Sequence, residues 1–237
     1  GADWTPFPTC INIIFVDGLR VHNVEMKNSF NDGIHIHWSR NSTIRDNYIH
    51  AVGKSAITSS RNGISFQGGE YAAWNKNHLA SGNTVTDIGD EGIVCSNCLE
   101  TNIESNDIFG FEEYGIEITD SDGVDRVMYG VNLINNKIHD IGGQQYSQGI
   151  NWAPNANNTR GCSIIGNSMY NIGHTPMYIS RFDDGVIANN ILYEVNTGGE
   201  GGIYGTSIDI LTSSRNVISG NTLKANAPHA FNVGIRL

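Results

Sequence analysis

Short apolar runs alternate with polar residues along the whole chain, and Gly, Asn, Asp and Ser interrupt each run before a 3.6-residue period can build up. The stretch "NDGIHIHW", Asn31 to Trp38, shows the unit: Ile34 and Ile36 fall on one face of a predicted strand, His35 and His37 on the other. The same phrase returns as "NGISFQG", "EGIVCSN", "YGIEITD" and "QGINWAP", and more loosely as "TPMYISR", "GGIYGTS" and "VGIRL". Its anchor residues are Ile34, Ile64, Ile93, Ile116, Ile150, Met177, Ile203 and Ile235, spaced by 30, 29, 23, 34, 27, 26 and 32 residues.

A second phrase, Asn-x-apolar, is interleaved with the first. It begins at Asn28, Asn47, Asn83, Asn106, Asn136, Asn167, Asn190 and Asn221. Two phrases in constant order, at a period near thirty and rich in Ile and Val, predict a solenoid of short strands rather than helices. Three short strands per coil fit that period, giving an all-β parallel β-helix of about eight coils. An Asn returning at one turn would stack on its neighbours one coil away and bond along the ladder.

Composition narrows the function. The 237 residues carry 14 Lys and Arg against 24 Asp and Glu, a net charge of −10, with no basic patch to hold nucleic acid. An acidic polysaccharide would need a metal ion or a local basic cluster to bind. No apolar run approaches membrane-spanning length, and the start "GADWTPFPTC" lacks the pattern of a signal peptide. Four cysteines are too few for a disulfide scaffold. Cys95 and Cys98 form a lone CxxC, readable as core thiols or one local disulfide, and no second pair stands at zinc spacing.

The stretch "VDGLRVHNVEMKNSFNDGIHIHWSRNSTIRDNYIH" resembles the repeat of right-handed β-helix proteins of the pectate-lyase-like superfamily, and the likeness runs along nearly the whole chain. It implies a right-handed β-helix acting on or binding polysaccharide: a glycoside hydrolase, a polysaccharide lyase, a uronan epimerase or a phage tailspike. The implied location is secreted, at a cell surface or on a virion, with a homotrimer expected in the tailspike case. Residues 1–237 read as a single β-helix domain, a fragment of a longer chain without its caps.

A repeat turns sequence into a surface map, because equivalent positions stack about 4.8 Å apart. One residue after each anchor, the outward column reads His35, Ser65, Val94, Glu117, Asn151, Tyr178, Tyr204 and Arg236. The next outward column includes His37 and Gln67. Such a strip of hydroxyls, amides and rings suits a sugar chain, with Gln67, Asn151, Tyr178, Tyr204 and Arg181 as candidate binding residues. Two residues before the anchors lie Asp32, Asn62, Glu91 and Tyr114. "FNDGI" resembles the "NTDGI" phrase of polygalacturonase-type hydrolases and matches Asp32 to its catalytic Asp. That family's Asp pair and Gly-His-Gly are replaced here by "RNG" and "DEG".

Hydrolysis would use carboxyls from Asp32, Glu91 and Glu117. Elimination or epimerisation would use His35 or His37 as base, with Lys54, Arg40, Arg61 or a cation neutralising the uronate. No cofactor is required for hydrolysis. Calcium is the candidate ion, at the acidic stretch holding Glu117, Asp120, Asp122 and Asp125. A module that only binds glycan or builds a stalk is the third alternative.

Overall fold

The computed structural model describes residues 9–53, 61–68, 74–120, 127–141, 147–155, 159–195, 206–225 and 233–237. It is a right-handed parallel β-helix. Each coil contributes one strand to each of three stacked sheets; Ile34–His37, Thr43–Arg45 and Tyr48–Val52 make one such coil. Among the described residues the sheets hold nine, eight and eight strands, every pairing parallel and every neighbour one coil away. A two-stranded sheet, Thr159–Arg160 with Phe182–Asp183, lies beside them.

The anchors form one ladder along the first sheet. Ile34 pairs with Ile64, Ile64 with Ile93, Ile93 with Ile116, Ile116 with Ile150 and Ile150 with Met177. All six are fully buried. The ladder extends one coil earlier, to Ile11 in the strand Ile11–Ile14, which the repeat phrase does not announce because no Asp-Gly-type turn precedes it. At the other end the expected anchor is corrected. Met177 pairs with Ile208, not Ile203, and Ile208 pairs with Ile235. Ile203 and Tyr204 lie outside the described residues. Their place on the strip is taken by Asp209, which pairs with Tyr178 on one side and with Arg236 on the other.

The second phrase forms an asparagine ladder, buried from Asn47 to Asn190 and half-buried at Asn221. Each side-chain Nδ2 donates to the next Oδ1, from Asn47 through Asn83, Asn106, Asn136, Asn167 and Asn190 to Asn221. Each Oδ1 also accepts the previous asparagine's backbone N–H, and each Nδ2 reaches a carbonyl one coil back, as Asn136 does to Ile103. The residue before each ladder Asn has a left-handed φ: Asp46, Gly82, Ser105, Asn135, Gly166, Asn189 and Gly220. Asn, Asp and Gly tolerate that region best, which explains the recurring "DN", "GN" and "NN". Asn28 is not a member. The register pairs Glu25 with Tyr48, so the ladder place in that coil belongs to Val24, whose N–H donates to Asn47 Oδ1.

Two substitutions test this architecture by chemical denaturation. Asn136→Ala strips acceptor and donor from two neighbours in a buried turn and is expected to cost about 1–3 kcal/mol. Ile116→Ala, in the middle of the anchor column, is expected to cost about 2–5 kcal/mol. Values near zero for either would remove that column from the stabilising core.

Candidate functional site

The glycine before each anchor decides which way the preceding side chain faces. A Cβ at Gly33 would lie 2.6 Å from Ile49 Cγ2 and 2.7 Å from the Gly63 carbonyl oxygen. At Gly92 it would lie 2.4 Å from Ile108 Cγ2 and 2.6 Å from the Gly115 carbonyl oxygen. These positions therefore face inward, against the third sheet, and so do the anchors that follow. Two consecutive inward positions reset the alternation and turn Asp32, Asn62, Glu91 and Tyr114 to the outer side.

Asp32 lies on that outer side yet is completely buried. Its Oδ1 accepts the Asn62 backbone N–H at 2.8 Å. Its Oδ2 stands 2.9 Å from His35 Nδ1, at ion-pair distance but without the alignment of a full hydrogen bond. That neighbour favours the tautomer with the proton on Nδ1 and leaves Nε2, which is buried and has no hydrogen-bond partner, as the basic nitrogen. The two histidine rings are 5.4 Å apart, closer than the ~6.8 Å of two strand steps. His37 stacks on Trp38 at 4.0 Å. Burial, and then the neighbouring His35, push its pKa down to about 4.

The densest chemistry lies two and three coils further on. One carboxylate oxygen from each of Asp90, Glu91 and Glu113 falls within 4.8 Å of the others. Backbone N–H groups of Glu112 and Glu113 both donate to the Asp90 carbonyl, which folds this corner over the preceding coil. Arg61 approaches from below, 3.7 Å from Asp90 and 3.9 Å from Glu112. Burial and mutual repulsion raise three carboxyls here, those of Asp90, Glu91 and Glu117. Asp90 is pushed up to about 6 by burial and then by the Glu113 charge, with Arg61 opposing. Glu91 rises to about 9 through burial and then through Asp90, Glu117 and Glu113. Glu117 rises to about 7, chiefly by burial; Asn151 Nδ2 donates to it at 3.2 Å and opposes the shift. The Tyr114 phenol is pushed up to about 12 by burial and the same acidic neighbours.

The expected residues are thus distributed unevenly. Glu91 and Glu117 join one acidic cluster, and Asp32 and His35 form a separate pair. Gln67 and Tyr178 are half-buried on the strip, and Arg181 occupies the corner after the Met177–Ser180 strand. Asn151 is buried and holds Glu117. Ser65 and Val94, between His35 and Glu117, are also buried, so the strip is not continuously open. Only part of the predicted calcium set falls within the described residues. Asp120 is buried and its carboxylate accepts the Asn155 backbone N–H, while Asp122, Asp125 and Lys54 lie outside the described residues. Among the described residues, carboxylates gather at cation-holding distance at Asp90, Glu91 and Glu113, where a divalent ion would keep all three ionised. Asp90, Glu112 and Glu113 escape column reasoning because they sit in the turn, before the alternation resets.

The family model for the right-handed beta-helix region matches residues 7–151 and 73–237. Among solved structures, the A-module of the mannuronan C-5 epimerase AlgE6 of Azotobacter vinelandii is similar, with a TM-score of 0.64 at 17% identity. That alignment covers 92% of this chain and 56% of the epimerase module. Tailspike protein 2 of the Escherichia coli O157:H7 bacteriophage CAB120 is similar with a TM-score of 0.58 at 14% identity, covering 89% of this chain and 33% of the tailspike. The chain therefore spans about half and a third of these two structures, and at such identities the likeness is one of fold. No curated protein sequence matches it.

The cluster has a stability signature. Below about pH 4.5, the ordinary value for Glu, the Glu91 carboxyl is protonated in both folded and unfolded chains. Between that and about 9 only the unfolded chain ionises it, so unfolding releases a proton and stability falls as pH rises. Glu91→Gln keeps the shape without the ionisation. Thermal denaturation should give a higher Tm for the variant than for the parent at pH 8, and matching values at pH 4. A lower Tm for the variant at pH 8 would mean that Glu91 is ionised and stabilising, as a bound cation would make it.

Proposed function

We propose that this chain, which belongs to the right-handed β-helix family, is a glycoside hydrolase acting on a polysaccharide laid over the outer face of its first sheet. The observation that carries this reading is the convergence of Asp90, Glu91, Glu113 and Glu117 at one place on that face, in surroundings that raise Asp90, Glu91 and Glu117 by different amounts. Glu117, with a pKa of about 7, keeps a proton near neutral pH and is placed to act as general acid. It would donate that proton to the glycosidic oxygen as the bond to the anomeric carbon breaks. Glu113, exposed, and Asp90 beside it supply negative charge to the developing oxocarbenium ion or draw a proton from the attacking water. Water's hydroxyl ends on the anomeric carbon and its proton returns to the carboxylate. Glu91, still protonated, donates a hydrogen bond to a sugar oxygen.

His35 lies three coils from Glu117, about 14 Å by strand spacing, so the two serve different subsites of one chain. Gln67, Tyr178 and Arg181 fit further subsites along the same face. A polysaccharide substrate puts the place of action in a secreted, surface-bound or virion-attached form, and the Cys95–Cys98 disulfide suits an oxidising compartment.

A second reading, polysaccharide lyase or uronan epimerase, is favoured by one observation, the Asp32–His35 pair. In that reading His35 serves as base with Asp32 beside its Nδ1, and the buried Nε2 would have to open to the substrate to take the proton beside a uronate carboxylate. Arg61 or a calcium ion at Asp90, Glu91 and Glu113 would neutralise that carboxylate.

Incubation with a panel of neutral and uronate polysaccharides separates the readings. New reducing ends without the ultraviolet absorbance of an unsaturated uronate mark hydrolysis. That absorbance marks elimination, and binding with neither marks a non-catalytic module. On a cleaved polymer, Glu117→Gln should lower kcat by about 100-fold or more without lowering Tm. The parent's activity should decline as pH rises through about 7, because the acid then loses its proton. Full activity in Glu117→Gln would remove Glu117 from the chemistry.

A further inference from the structure

One corner of the solenoid carries aromatic rings in three successive coils. Just past the first sheet, single bridges pair Asp17 with Arg40, Arg40 with Lys76, and Lys76 with Leu99. Two residues before each of these stand Phe15, Trp38, Trp74 and then Asn97. Phe15 and Trp74 are 56% and 47% exposed, and Trp38 is half-buried between their coils. The Phe15 and Trp38 rings lie 4.9 Å apart. The Arg40 guanidinium sits 4.6 Å from the Trp74 ring centre and is itself tied to Asp17 at 2.9 Å.

Packing does not account for this row. Phe15 and Trp38 both take left-handed φ values, 56° and 48°, a conformation that bulky side chains rarely adopt. The same corner has left-handed Asn97, Arg181 and Thr212 in later coils, so the architecture sets the backbone there without calling for an aromatic. Phe15 and Trp38 stand on that corner and Trp74 two residues before the bridge at Lys76; Trp38 is half-buried between His37 and Phe15, while Phe15 and Trp74 are exposed. We infer that Phe15, Trp38 and Trp74 form a stacking platform for sugar rings of the polysaccharide, an outer subsite that extends the groove beyond Gln67 and His37.

Three features select a glycan over other occupants. Polarised C–H groups on one face of a pyranose ring lie favourably against the electron-rich face of an aromatic ring. Next, the platform is interleaved with hydrogen-bonding groups, His37 and Gln67 on the adjoining strand ends and Arg40 beneath, whereas the centre of a protein interface is depleted of charge. Lastly, the row continues into the strip. It spans about two coil steps, ~10 Å, the reach of a disaccharide, and ends about two more steps from the coil of Glu117. Single-stranded nucleic acid also stacks on aromatics, but the net charge of −10 and the acidic cluster would repel its phosphates.

The inference rests on the polysaccharide reading above, and the experiment keeps the two apart. Native gels containing soluble xylan, galactan, dextran, pectin or alginate would be run with Glu117→Gln as the parent, so that the polymer is not degraded. The expected result is retardation by at least one polymer. Adding Trp74→Ala or Phe15→Ala should weaken it by tenfold or more, adding Trp38→Ala should do the same, and Trp38→Tyr should restore most of it. Tryptophan fluorescence of the parent should shift on adding that polymer. Equal retardation of parent and aromatic variants overturns the platform and leaves the hydrolase reading standing. Loss of binding with cleavage of no polymer by the native chain upholds the platform and overturns the hydrolase. No retardation by any polymer overturns the platform, as does a dimer in solution that the same substitutions dissociate.

Discussion

The asparagine ladder is the constraint on which the rest of this structure depends. A turn inside a solenoid buries backbone N–H groups that neither strand can satisfy, and water cannot reach them. Each ladder asparagine solves this for the coil before it, because its Oδ1 accepts both the backbone N–H and the side-chain Nδ2 of its predecessor. The arrangement works only when the coils are in register, so it selects the register as well as stabilising it. A slip of one residue would turn the anchor isoleucines outward and strand the amides at once. The hydrophobic column and the ladder thus enforce one another from different sides of each coil.

Register is also what makes a site out of scattered residues. Asp90 and Glu91 are far from Glu113 and Glu117 in sequence, but the pairing of Ile93 with Ile116 sets them one coil apart. At that spacing, and partly out of water, neighbouring carboxylates cannot all stay ionised. The fold therefore determines their protonation, with Arg61 relieving Asp90 while Glu91 stays remote from any compensating cation among the described contacts. The electrostatics of the site follow from stacking geometry rather than from any one residue's identity.

The sequence shows most of the fold because packing repeats. Ile34 through Ile150, and Asn47 through Asn221, recur since every coil meets the same need. Its reading failed where local pattern was ambiguous. "GGIYGTS" mimics the anchor phrase, whereas the strand that pairs is the alternating "TSIDIL" that follows it. Asn28 had the phrase but stood outside the register. Glu117 and Glu91 were legible as outward columns, yet the burial of Asp32 and the gathering of Asp90 and Glu113 depend on how the turns fold back. The aromatic corner stayed hidden because an insertion before Trp74 breaks the spacing that would align it with Trp38.

The acidic cluster and the aromatic row place opposite demands on one architecture. At the acidic end, burial is the active ingredient: it raises Glu117 to where a carboxyl can both hold and give up a proton near neutral pH, and that requires the neighbouring coils to exclude water. At the aromatic row the proposed stacking calls for exposure, which Phe15 and Trp74 have. A solenoid can supply both, because each corner repeats independently of the others and a side chain changed in one coil leaves the next coil's ladder intact. Chemistry then varies along the axis while the core does not. That separation explains why the core columns are uniform in composition and the outer columns are not.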